Sequence, residues 1–154
     1  MLRPGVRIGV DVGKARVGVS RSDPHALLAT PVETVARGDG DLAVIAALAA
    51  ESDAIEIVVG LPLSLSGVRT ASTDDAVSFA RRLAARVDLP VRLVDERLST
   101  VTAQQALRAS GRNSRTSRSV IDQVAAVIIL QHALDFERSA GLPPGELADP
   151  DEGS

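Results

Sequence analysis

The sequence predicts a mixed α/β fold, a five-stranded sheet with helices on both faces, and three observations carry that expectation. Three short apolar-alternating runs open the chain; the turns between them are too short for a crossover; and two later apolar runs each follow a helical pattern. Three antiparallel strands followed by alternating helices and parallel strands satisfy all three.

Residues 6 to 12, 16 to 21 and 28 to 35 read as strands, joined by polar turns around Gly13 to Ala15 and Ser22 to Ala26. Asp39 or Asp41 is placed to cap a helix whose apolar face is Leu42, Ile45, Leu48 and Ala49. The run AIEIVVGLP is apolar nearly throughout, as a buried parallel strand is, and ends at Pro62. After the Ser/Gly loop from Leu63 to Arg69, the spacing of Ala76, Phe79, Ala80, Leu83 and Val87 predicts a helix. PVRLVDE is the fifth strand. Ser99 or Thr100 caps a helix to about Ala109, SGRNSRTS from Ser110 to Ser117 is a loop without an apolar residue, and a last helix runs from near Ser119 to about Arg138. Residues 1 to 140 therefore read as one domain, and the proline, glycine and acids of 141 to 154 as a disordered acidic tail.

Composition narrows the function. At 154 residues and 45% hydrophobic content the chain supports one sizeable core. The absence of cysteine excludes disulfides and zinc-thiolate centres, and no stretch reads as a membrane span or signal peptide, which predicts a cytoplasmic protein. The 20 acids include four in the tail from Glu146 to Ser154, so the body, with 17 basic residues, is near neutral. Lys14 is the one lysine. Arg108, Arg112, Arg115 and Arg118 lie close together with no acid between them, which suits either a solvated loop or a phosphate contact. With only Phe79 and Phe136 as aromatics, base stacking is a poor expectation, and any nucleic acid would be gripped by its backbone.

Three acids stand out against this frame. In VRIGVDVGKARVG, Val6, Ile8, Val10 and Val12 alternate, so Asp11 shares the other face with Gly9 where a strand should continue apolar. Glu96 follows the fifth strand directly. Asp122 precedes Ala125, Ala126, Ile129 and Ala133 at helical spacing, which turns it toward the sheet. Singly, each has a local explanation: Asp11 as a turn cap, Glu96 paired with Arg97 or Arg92, Asp122 in a Ser119-x-x-Asp122 capping box. Jointly they would repel unless a cation gathers them, and hard oxygen ligands with no histidine or cysteine nearby select Mg2+ or Mn2+. The chemistry that uses such a site is phosphodiester hydrolysis, in which two ions roughly 4 Å apart activate a water and stabilise the leaving oxygen. The two histidines, His25 and His132, have no cysteine or serine elbow beside them to suggest a protein nucleophile.

The segments IGVDVGKARVG, VVGLPLSLSG, VDERLST and IDQVAAVIILQ, in this order and spacing, resemble the bacterial YqgF or RuvX family of the RNase H-like superfamily. The resemblance spans residues 6 to about 135. It implies an RNase H-like core and a metal-dependent nuclease with catalytic, metal-binding acids at Asp11, Glu96 and Asp122. The substrate it implies is structured nucleic acid: either the 5′ end of pre-16S rRNA in ribosome biogenesis or a Holliday junction. Gly13, Arg16 and Gly18 would shape the first hairpin, and Gly60 to Pro62 with Gly67 a loop near the site. The family's frequent asparagine after Leu63 is Ser64 here. On this reading Lys14 or Arg16, with Arg97, Arg112, Arg115 and Arg118, contacts phosphates, fixing the backbone without reading sequence. A junction resolvase making paired cuts would be a homodimer, whereas an RNA-processing enzyme needs only one copy.

Two rival readings use the same residues. Asp11-Val12-Gly13 also matches the phosphate hairpin of actin-like nucleotide-binding proteins, but those need two such domains and this chain has one; nor does Lys14-Ala15 complete a P-loop. A non-catalytic module binding nucleic acid or a ribosome-associated protein would use the arginine loop equally well.

Overall fold

The computed structural model describes residues 3–63, 66–95 and 118–150, with the side chains of the last helix described from residue 122 onward. Strands β1 (Arg7–Val12), β2 (Arg16–Ser22) and β3 (Ala29–Ala36) are followed by α1 (Asp41–Glu51), β4 (Glu56–Leu61), α2 (Ala71–Ala84), β5 (Val91–Asp95), α3 (Arg118–Ala140) and β6 (Glu146–Leu147). The sheet order is β3-β2-β1-β4-β5-β6. β1 and β2 pair antiparallel, as do β2 and β3, while β4 pairs parallel with both β1 and β5. The carboxyl ends of β1, β4 and β5 consequently meet at one edge of the sheet, where α/β folds place their ligands.

Strand alternation sorts the core into two layers. Ile8 and Val10, Val17 and Val19, and Ile57 and Val59 pack against Leu42, Ile45, Phe79 and Leu83 of α1 and α2. On the opposite face Val58 and Val94 meet Ile129, Leu130, Ala133 and Leu134 of α3. Burying each of these larger side chains stabilises the fold by roughly 1.5–3 kcal/mol. β4 is buried on both faces, which is why its sequence is apolar nearly throughout rather than alternating. Among the described residues no helix is long and apolar enough to cross a membrane.

Two local expectations are corrected. Neither Asp39 nor Asp41 caps α1: the N-cap is Gly40, at φ 99°, with no side-chain bond. Asp41 instead accepts the Gly38 N–H at 3.2 Å and lies 3.6 Å from Arg37 Nε, which keeps its buried carboxylate compensated. Helix α2 stops at Ala84, so Val87 packs on the core from beyond its end. Its start is a reciprocal box, Thr70 N–H to Thr73 Oγ1 at 2.9 Å and Thr73 N–H to Thr70 Oγ1 at 3.3 Å, and the Thr73 hydroxyl also bonds the Pro62 carbonyl.

The largest correction is at the C-terminus. Residues 141–150 are ordered along the edge of β5, adding a sixth strand in which Arg92 pairs with Leu147 and Leu93 with Glu146. Ala148 is buried in the α1/α2 layer and donates its N–H to the Val91 carbonyl at 2.7 Å. The reason is backbone geometry rather than composition. Gly145, at φ 63°, passes so close to β5 that a Cβ there would sit 2.0 Å from the Leu93 carbonyl oxygen. The unpaired edge of β5 supplies partners that an acid-rich segment can use as well as any other.

Candidate active site

The α3 face of the first hairpin carries one glycine on each strand, Gly9 on β1 and Gly18 on β2, where the helix comes closest. A Cβ on Gly9 would lie 2.7 Å from Leu130 Cβ and 2.9 Å from the Ala126 carbonyl oxygen, and one on Gly18 only 2.0 Å from the Asp122 carbonyl oxygen. The helix therefore rests on the strands by backbone, at a separation that only glycine permits. Ser20, between these contacts, donates its hydroxyl to the Ala126 carbonyl at 2.8 Å, and Gln123 Nε2 donates to Thr34 Oγ1 at 3.1 Å.

This packing is what brings two of the three acids together. Asp11, half-buried near the end of β1, is the register partner of Gly18, and Gly18 is the residue on which Asp122 sits. Ser119 lies within α3 rather than at its N-cap, so the capping-box explanation of Asp122 does not apply. Glu96, the third acid, lies outside the described residues; Val94, two positions before it, faces α3. Arg92, one of the local partners expected for Glu96, bonds Glu56, Nε to Oε1 at 2.5 Å. Among the described residues no three acids or histidines gather into a metal-binding group; the candidate half-site is the pair Asp11 and Asp122, linked through Gly18.

The basic residues divide. Lys14 is exposed on the turn after Gly13. Arg16, at the start of β2, forms an ion pair with Asp122, Nε to Oδ2 at 2.7 Å, with the two side chains 33% and 20% exposed. Arg97, Arg112 and Arg115 lie outside the described residues, as does Ser64; Arg118 begins α3, and its side chain is likewise outside them.

Arg37 is the supporting residue that sequence reasoning missed. Its Nη1 donates to the Gly13 carbonyl and to Asp75 Oδ2, each at 2.8 Å, and its Nη2 to Asp75 Oδ1 at 3.0 Å. The guanidinium also lies 5.3 Å from the Phe79 ring centroid. The bond to Asp75 raises the Arg37 pKa, and the same bond lowers that of Asp75. One side chain thus ties the turn that carries Lys14 to the start of α2. No local pattern marked it, because its partners are 24 and 38 positions away.

The sequence profile of the RuvX family, described as Holliday junction resolvase, matches residues 5–136. A relative from Clavibacter michiganensis, named "Putative pre-16S rRNA nuclease", is 68% identical over 149 residues, covering 95% of this chain and 92% of its own. Another of that name, from Leifsonia xyli, is 60% identical over 151 residues and covers 97% of each chain. Among solved structures, RuvC of T. thermophilus in complex with Holliday junction substrate superposes with a TM-score of 0.57 at 16% identity, over 91% of this chain and 99% of that one. That likeness establishes the RNase H-like fold. With most of its length matched by the family profile and by close relatives, the chain belongs to the RuvX family of nucleases.

Proposed function

We propose that this nuclease is a metal-dependent phosphodiester hydrolase in which Asp11, Glu96 and Asp122 hold Mg2+ or Mn2+ and its substrate is the 5′ end of pre-16S rRNA. One observation carries the metal site: Gly18, the register partner of Asp11, is also the seat of the Asp122 backbone. Two carboxylates brought together at a half-buried strand end need positive charge, and their all-oxygen donor set fits a hard divalent cation. When bound, such ions supply an activated water and compensate the leaving oxygen.

The chain's own residues then have distinct tasks. Asp11, rigid on β1, orients the site; Asp122 approaches it from α3; Glu96 closes it from the end of β5. Lys14 and Arg16 lie beside the half-site and contact phosphates next to the scissile bond, with Arg97, Arg112, Arg115 and Arg118 gripping the backbone farther out. The name shared by the high-identity relatives favours ribosomal precursor RNA as the substrate. The second reading, a four-way DNA junction, is favoured by the family's description, and it would call for a homodimer to make paired cuts. The nuclease domain, read from the sequence as residues 1 to 140 and extended by β6, acts in the cytoplasm, where either substrate is found.

The test is cleavage of a pre-16S 5′-end RNA against a four-way DNA junction, in Mg2+ and in Mn2+, at a mass measured by sedimentation. Asp11→Asn is expected to lose cleavage by at least about a hundredfold while keeping substrate affinity within a few-fold. Equal cleavage by wild type and Asp11→Asn would overturn the metal site, and preference for the junction by a dimer would overturn the RNA assignment.

A further inference from the structure

We infer that Arg16 is a tethered counter-cation for Asp122, which a divalent ion must displace, so that metal loading releases the guanidinium to a phosphate and metal and nucleic acid bind with positive coupling. The inference rests on the reading of Asp122 as a metal ligand.

The geometry of Arg16 supports two states. Its backbone is fixed, because the Gly13 N–H donates to the Arg16 carbonyl at 2.9 Å and Arg37 holds the Gly13 carbonyl from the other side. With position 18 on the same face of β2, Arg16 points toward α3, and Gly18 sets how near Asp122 comes. The contact uses Nε alone, at 2.7 Å from Oδ2. The two terminal amino groups make no hydrogen bond to another described residue, and the side chain remains one-third exposed. Those groups form the fork that suits phosphate.

A divalent ion on Asp122 would meet the guanidinium at the same carboxylate, and two cations cannot share it without repulsion. Either Arg16 or the ion therefore compensates Asp122. A phosphate that draws Arg16 away leaves the carboxylate open to the ion, and an ion on the carboxylate leaves Arg16 open to the phosphate. By linkage, each must raise the affinity for the other by the same factor.

The test is titration of the full-length protein with Mn2+, without nucleic acid, following the free-ion electron paramagnetic resonance signal for wild type, Arg16→Gln, Arg16→Lys and Asp122→Asn. Removing the competitor in Arg16→Gln is expected to tighten Mn2+ binding roughly three- to tenfold, the range of a partly shielded ion pair. Arg16→Lys keeps the charge and should stay near wild type, and Asp122→Asn should bind more weakly than wild type. Unchanged or weaker binding by Arg16→Gln, alongside weakened Asp122→Asn, overturns this inference alone. Wild-type affinity in Asp122→Asn overturns the ligand reading and this inference with it. A measurement on wild type guards against a misfolded variant: the Arg16 Nε–H resonance should move on saturation with Mg2+, and its constancy would overturn the exchange. Finally, Mn2+ should raise the affinity for a phosphorothioate-linked RNA hairpin more in wild type than in Arg16→Gln. Equal enhancement would overturn the coupling.

Discussion

A methyl group added at position 18 would lie 2.0 Å from the Asp122 carbonyl oxygen and 2.4 Å from its carbon, both backbone atoms that no rotamer change can move aside. Gly18→Ala must therefore lift the start of α3, at a cost of about 1–3 kcal/mol for overpacking. Cleavage should fall far more than that loss of stability explains, because the shift separates Asp122 from Asp11 without removing either acid. Thermal unfolding measured beside single-turnover cleavage checks this, and cleavage that merely tracks the folded fraction would contradict it. At this scale the sequence was partly legible. Asp11 declared itself by interrupting an apolar alternation, and Gly9 was visibly on its face. That Gly18 seats α3 was hidden, since its partner is a backbone atom 104 positions away. Arg16 was legible as a cation near the site but not as the partner of Asp122, for the same reason of distance along the chain.

Helix α3 is anchored at its far end by an ionic cluster that no sequence pattern announced. Glu137, 2% exposed, receives Arg7 Nη2 at 2.9 Å and Arg3 Nη2 at 2.8 Å, while Arg3 Nη2 and Arg92 Nε also reach the buried Glu56 at 3.1 and 2.5 Å. Burial alone would raise the Glu137 pKa. The hydrogen bonds from the Arg3 side chain and backbone, with the charges of Arg7 and Arg3, override it and hold the pKa at about 2. Because the folded value lies below the ordinary 4.5, the carboxylate's contribution is complete above that pH and is lost as pH falls toward 2. An acid titration of stability should thus show a wild-type loss in that window that Glu137→Gln lacks. The same variant should lose about 3–5 kcal/mol at neutral pH, since it strands two arginines around a neutral side chain. Chemical denaturation at a series of pH values measures both. The helix itself was legible from its apolar spacing. Its anchor was not, because Arg3, Arg7 and Glu137 carry their charge at opposite ends of the chain.

Across the whole molecule both edges of the sheet are guarded. β3 carries Pro31 at a register shift opposite Val19/Ser20 and exposes Glu33, and β5 is covered by β6. Truncation before Gly145 should cost about 1–3 kcal/mol in backbone bonds and buried contact and should promote association through the bared β5 edge. Thermal unfolding and light scattering against concentration test this; a truncated protein as stable and as monodisperse as the full chain would show β6 to be dispensable. The sheet's first five strands could be read from alternation and turn length, whereas β6 is two residues long and held by backbone, which leaves no periodicity to detect. Helix α3 is held at both of its described ends. Clamped at Glu137 by the ionic cluster and seated at Asp122 on Gly18, it is a strut about 22 Å long between those two acids, at 1.5 Å per residue. A strut held at both ends keeps its line, so the backbone of Asp122 and the carboxylate of Glu137 stay in fixed relation to the sheet beneath them. The footing of the proposed site at Asp122 is thereby shared between glycine seats beneath it and a salt cluster about four turns away.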